Sequence, residues 1–155
     1  MIALHLLDSL AIIPHIKGPK VIDVGTGAGF PGIPLAICLP QLEFTLVDSN
    51  GKRIQFLHTV KHHLNLSNIN IWQGRIEQYQ PDAGFDTITS RAFSKLSHFI
   101  TLTHPLCVTN GQWCAMKGQV PAEELQGLSY PYEIHPYDIP GQDVARCCII
   151  IKNKE

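Results

Sequence analysis

The stretch VIDVGTGAGFPG, residues 21–32, places Asp23 near the end of an apolar, β-branched run and glycines at 25, 27 and 29 directly after it. Glycine permits positive φ and removes the Cβ that would keep a ligand from the backbone, so this spacing describes a ligand cradle. Pro31 and Pro34 follow, where the first turn of a helix has amide hydrogens without intrahelical partners. Asp48 lies 23 residues beyond Gly25, at the end of the run EFTLVD, where a carboxylate can accept hydrogen bonds from both hydroxyls of a ribose. That placement favours an adenosine-containing ligand without a 2′-phosphate; the same Asp is also a common cap for a helix starting near Gly51. Arg91, in SRAF after a fourth apolar run, offers a cationic fork suited to a carboxylate or phosphate, or else a surface ion pair.

Two ligand classes compete for the glycine loop. Gly27, Gly29 and Gly32 satisfy the GxGxxG dinucleotide fingerprint, but its first glycine should follow the strand directly, and the strand ends at Val24. Asp23, Gly25, Gly27 and Gly29 resemble instead the glycine loop of S-adenosylmethionine-dependent methyltransferases with a Rossmann-like sheet. Asp48 serves a nicotinamide dinucleotide or S-adenosylmethionine equally. The Asn/Asp-Pro-Pro-aromatic motif of exocyclic-amine methyltransferases is absent where SRAF stands.

The elements that must position these residues alternate. Short β-branched runs at 20–24, 43–48, 68–74, 85–90, 111–118, 132–137 and 146–152 are separated by helical stretches near 31–38, 52–64, 94–104 and 121–128, with a short segment at 75–79. This rhythm predicts an α/β fold with a mostly parallel sheet covered on both faces. The last two strands, joined by the turn-rich DIPGQD, are expected as an antiparallel hairpin at one edge. Residues 2–13 read as a helix stopped by Pro14, with no cap and no evident packing partner. It is either a frayed first helix or the point where the chain enters a longer architecture.

The 155 residues, 45% hydrophobic and 16% charged, fit one globular domain. A domain of that size buries roughly 70% of its unfolded surface and needs no disulfide or structural metal. The five cysteines have no CxxC spacing and sit mostly in apolar runs, so they read as reduced core residues of a cytoplasmic protein. No apolar run reaches the roughly 20 residues of a membrane span, and no leader pattern opens the chain. With a formal net charge of −1, any nucleic-acid contact must rest on a local patch. Lys52, Arg53, Arg75, Arg91, Lys95 and Lys117 follow or end strands on the ligand face, and Lys117, in MKG, is the best placed.

HLLDSL at 5–10, IDVGTGAGFPGIPLA at 22–36, LVDSNGKRIQFL at 46–57, GRIE at 74–77, SRAF at 90–93 and MKG at 116–118 occur in order along essentially the whole chain. Together they resemble the bacterial 16S ribosomal RNA guanine-N7 methyltransferases, the RsmG or glucose-inhibited division protein B family. The resemblance implies a Rossmann-like class I S-adenosylmethionine-dependent methyltransferase with a seven-stranded sheet. It implies S-adenosylmethionine as cofactor and 16S ribosomal RNA or the small ribosomal subunit as partner, with no membrane or metal. Gly25, Gly27 and Phe30 would line the cofactor, Ile76 and Glu77 would meet its adenine, and Arg91 would lie at its methionine end, with Asp48 at the ribose. Arg91, Lys117 and His5 are the candidates for contact with RNA. Members usually carry further helices before the H-x-x-D-S block and an Arg before its His, where this chain has Leu4 before His5. The chain is therefore expected to be a single methyltransferase domain, 1–155, without that helical segment. The alternatives are a truncated, catalytically weak S-adenosylmethionine-binding domain and a nicotinamide-dependent oxidoreductase.

Guanine N7 has a free lone pair at neutral pH, so its methylation removes no proton and calls for no general base; none is assigned. His58 and His62 share the i, i+4 spacing of metal ligands, but no third ligand follows by pattern, and Phe56, Leu57, Val60 and Leu64 mark the opposite face as buried. His5 and Asp8, one helical turn apart, are expected to make a helix–loop contact that closes over the cofactor.

Overall fold

A computed structural model describes residues 2–155. Seven strands, β1 (Lys20–Val24), β2 (Glu43–Asp48), β3 (Ile69–Gln73), β4 (Phe85–Ser90), β5 (Cys107–Lys117), β6 (Tyr132–Pro136) and β7 (Cys147–Lys152), form one sheet in the order β3-β2-β1-β4-β5-β7-β6. β1 to β5 are parallel; β7 runs antiparallel to both β5 and β6, which makes the expected edge hairpin. The chain order reverses direction across the sheet at β1 and β4, and a crevice opens there at the carboxyl ends of the strands.

Five helices cover the sheet: α1 (Ile2–Ala11), α2 (Gly32–Cys38), α3 (Gly51–His63), α4 (Leu96–Thr103) and α5 (Ala122–Gln126). Alternation along each strand divides the apolar side chains between two cores. Ile22, Ile88, Trp113, Ile149 and Ile151 share one core with α4 and α5, while Val21, Phe44, Leu46, Cys114 and Ile150 share the other with α2, α3 and Ile12 just after α1.

Four readings change. β5 begins at Cys107, four residues earlier than expected: Asn110 (φ 64°) sits at a register shift against β4, so the turn-like pair Asn110-Gly111 belongs to an irregularity inside the strand. On α3, Ile54 and Leu57 are buried but Phe56 and Leu64 are about half exposed, because the helix docks along an i, i+3 stripe. Cys38 is exposed and Cys107 half-buried; only Cys114, Cys147 and Cys148 lie in the core. Finally, α1 has packing partners, and its buried residues are Asp8 and Ser9 while Ile2, Leu6 and Leu10 face outward. The segment after α1 is tied to the sheet by polar bonds, Gln112 Nε2 donating to His15 O (2.6 Å) and Thr87 Oγ1 to Lys17 O (2.7 Å).

Candidate functional site

The turn after β1 is held from both ends by carboxylates. Asp23 Oδ2 accepts from Thr26 Oγ1 (2.6 Å) and from the Gly32 amide (2.9 Å), which ties the loop to the first turn of α2. Asp48 Oδ2 accepts from the Gly27 amide (2.8 Å), and its Oδ1 accepts from the Asn50 amide (2.9 Å). The cap of α3 is Asn50, whose side chain accepts from the Lys52 and Arg53 amides, so Asp48 is released from that duty. Each Asp48 oxygen keeps acceptor capacity beyond its one backbone bond.

Asp23 is fully buried and its Oδ1 has no hydrogen-bond partner among the described residues. Burial pushes its pKa up to about 7, against the pull of the Thr26 and Gly32 bonds and the Arg91 charge.

Gly25 has φ +66°, and a Cβ there would stand 2.6 Å from that of Ala92. Ala92 is fixed in turn, since Ser90 Oγ donates to Val24 O (2.7 Å) and accepts from the Ala92 amide (2.9 Å). The loops after β1 and β4 therefore meet at Gly25 and Ala92, which border two adjoining cavities. One, of about 420 Å³, lies between Asp48 and the turn Ile76–Gln78, with Ile76 and Glu77 on its wall. The other, of about 570 Å³, is bordered by Gly27, Phe30, His5 and Arg91. All seven cofactor-binding candidates border this double crevice: Gly25, Gly27, Phe30, Asp48, Ile76, Glu77 and Arg91.

His5 reaches across from α1. Arg91 Nη2 and His5 Nδ1 are 2.9 Å apart, and the His5 and Phe30 rings are 5.4 Å apart. His5 thus bridges both loops as a cover over the second cavity. Arg91 also borders a third cavity of about 210 Å³, between the carboxyl end of β5 and the chain around Tyr137 and Arg146. Asp8 enters it from α1, its Oδ1 accepting from Tyr137 Oη (3.0 Å) and lying 3.2 Å from Arg146 Nε. Burial and the Asp8 charge push the Tyr137 pKa well up, so the phenol remains a donor.

Lys117 borders the same cavity, but its Nζ donates to Phe93 O (3.2 Å) and Ser94 O (3.0 Å) and lies 3.9 Å from Glu124. Its charge braces the loop after β4. Of the other basic candidates, Arg53 and Arg75 border the Asp48 cavity, and Lys52 and Lys95 are exposed outside all three. His58 and His62 lie on the exposed face of α3. Among the described residues no three His, Cys, Asp or Glu side chains gather as a metal site, and no helix is long and apolar enough to cross a membrane. Tyr137 and Arg146, expected at the facing ends of the last two strands, lie just outside β6 and β7, where the Tyr137 amide donates to Arg146 O (3.1 Å); nothing in the sequence links either to Asp8.

Comparison with known proteins gives concordant results. A family model described as GidB, rRNA small subunit methyltransferase G, matches residues 1–139. A Legionella pneumophila protein named ribosomal RNA small subunit methyltransferase G is 52% identical over 153 residues, 99% of this chain and 74% of its own length. A Methylobacillus flagellatus protein of the same name is 43% identical over 156 residues, 100% of this chain and 76% of its own. Among solved structures, a SAM-dependent methyltransferase from Aquifex aeolicus superposes with a TM-score of 0.72 at 16% identity, over 96% of this chain and 91% of that one, a likeness of fold.

Proposed function

This chain belongs to the rRNA small subunit methyltransferase G family, and on that premise we propose that it transfers a methyl group from S-adenosylmethionine to N7 of a guanine in small-subunit ribosomal RNA. The observation that carries the reading is the double crevice, whose glycine floor is anchored to Asp48 at one end and reaches Arg91 at the other.

The residues fit the cofactor. Gly25 leaves the floor bare where a Cβ would collide with Ala92. Asp48 keeps lone pairs for two ribose hydroxyls, and Ile76, 7% exposed, offers an apolar wall for an adenine ring beside Glu77. Arg91 provides the cation for an amino-acid carboxylate, with His5 and Phe30 closing the cavity above it. Bound there, S-adenosylmethionine supplies an electrophilic methyl group on a sulfonium. The protein's task is then alignment of N7 with that methyl, which can lower a barrier by roughly 7–11 kcal/mol. No side chain need remove a proton, because N7 carries a free lone pair.

The test is incubation of this chain with labelled S-adenosylmethionine and small ribosomal subunits that lack N7 methylation, followed by the chain cleavage that a cationic N7-methylguanine permits. A single labelled guanine is expected. Cofactor binding without transfer would overturn the reading in favour of a binding module.

A further inference from the structure

The third cavity, beyond Arg91, lies outside the double crevice that the cofactor reading fills. Its position and chemistry suit the acceptor: Arg91 borders both it and the methionine end of the crevice, and Met116, Lys117 and Gly118 bring the carboxyl end of β5 to it. We propose that this cavity receives the target guanine and that Asp8 reads the base's Watson–Crick edge. The proposal rests on the guanine-N7 reading above.

Asp8 is presented as a fixed acceptor. Its side chain is only 4% exposed and its Oδ1 is occupied by Tyr137 Oη and Arg146 Nε, which orient the carboxylate. Oδ2 has no hydrogen bond from the described residues and is not sealed off from the cavity. Arg91 sets one guanidinium nitrogen against His5, and its others have no hydrogen bond among the described residues.

Enzymes that modify a base take it out of the stack and read its Watson–Crick edge. With N7 turned toward the methionine end, O6 lies beside it within the reach of Arg91, and N1–H and the 2-amino group face the far wall, where Asp8 accepts. Adenine inverts this pattern, with an amino donor in place of O6 and an acceptor at N1. It would set donor against guanidinium and lone pair against carboxylate.

The experiment compares small subunits reconstituted on 16S rRNA carrying guanosine at the mapped target with subunits in which splinted ligation has put inosine, which lacks the 2-amino group, at that position. The wild-type protein is expected to favour guanosine by about 10-fold or more in kcat/KM. Asp8→Asn should lower kcat/KM on guanosine about 100-fold, bring the guanosine/inosine ratio close to unity, and leave the calorimetric Kd for S-adenosylhomocysteine within about threefold. An unchanged ratio in Asp8→Asn overturns the assignment, because a merely structural Asp8 would slow both substrates alike.

Gly118→Phe gives an independent arm. A Cβ at Gly118 meets nothing nearer than Arg146 Nη1 at 3.7 Å, so the ring can enter the cavity without touching the cofactor crevice. Methylation should fall about 100-fold with cofactor affinity retained; wild-type methylation by Gly118→Phe overturns the proposal. Absence of N7 transfer by the wild-type protein would instead show failure of the functional reading, before any variant is made.

Discussion

At the β1–β2 end of the crevice the anchoring bonds are close in sequence: Asp23 to Thr26 and Gly32, three and nine residues apart, and Asp48 to Asn50 and Gly27, two and 21 apart. At the β4–β5 end they span the chain, with Arg91 and His5 separated by 86 residues and Asp8 and Tyr137 by 129. The first end is one βαβ unit whose loop can form as soon as β1 and β2 pair. The second depends on α1 being seated, which the polar contacts of His5 and Asp8 and the fully buried Ile12 just after the helix provide. The Asp48 end can thus be written in one short motif, while the Arg91 end needs the finished tertiary structure.

The difference can be probed in order of effect. Asp23 has an unfolded pKa near 3.8 and a folded one of about 7, so the unfolded chain loses its proton first and wild-type stability falls as pH rises through that window. Asp23→Asn should gain on the wild type by on the order of 3–4 kcal/mol between pH 4 and 8, measured by urea unfolding at several pH values. A pH-independent difference would mean that the carboxyl is ionised throughout. Gly25→Val forces a β-branched residue to φ +66° against Ala92 and should cost about 3 kcal/mol of stability and abolish cofactor binding. Wild-type melting of that variant would separate the loop from the fold and break the contrast.

Asp48→Ala and Arg91→Ala should each weaken S-adenosylmethionine binding by roughly 1.5–3 kcal/mol in calorimetry, through loss of a charge-assisted hydrogen bond. Affinity unchanged in both would refute the placement of the cofactor. His5→Ala should have the smallest effect, about 1 kcal/mol of cofactor affinity, since only its cover over the second cavity is lost. An unaltered affinity there would show that α1 serves the acceptor end alone.

These contrasts also explain what could be read from residues alone. The glycine loop, Asp48 and the strand pattern were legible because local spacing fixes them. Helix α1 was legible as a helix but its docking was not, because docking is usually recognised by an inward apolar stripe, and here Asp8 and Ser9 are buried while Ile2, Leu6 and Leu10 face out. The link of Tyr137 and Arg146 to Asp8 was invisible for the related reason that a polar residue at a strand end acquires such a role only from a distant partner. Lys117 was seen as a cation at a strand end, but spacing could not reveal that carbonyls of the loop after β4 occupy its ammonium. In β5, Asn110-Gly111 carried a turn signal that the strand absorbs as an irregularity.

Arg91 borders both the double crevice and the third cavity, so in the proposed arrangement one guanidinium would serve two ligands. Whatever orientation the first ligand gives it is the one the second ligand meets, and thermodynamic linkage makes that influence reciprocal. RNA that tightens the hold on S-adenosylmethionine must itself be held more tightly by the loaded protein. After transfer the new positive charge on the base faces the same guanidinium, which favours departure of the methylated strand over its unmodified form.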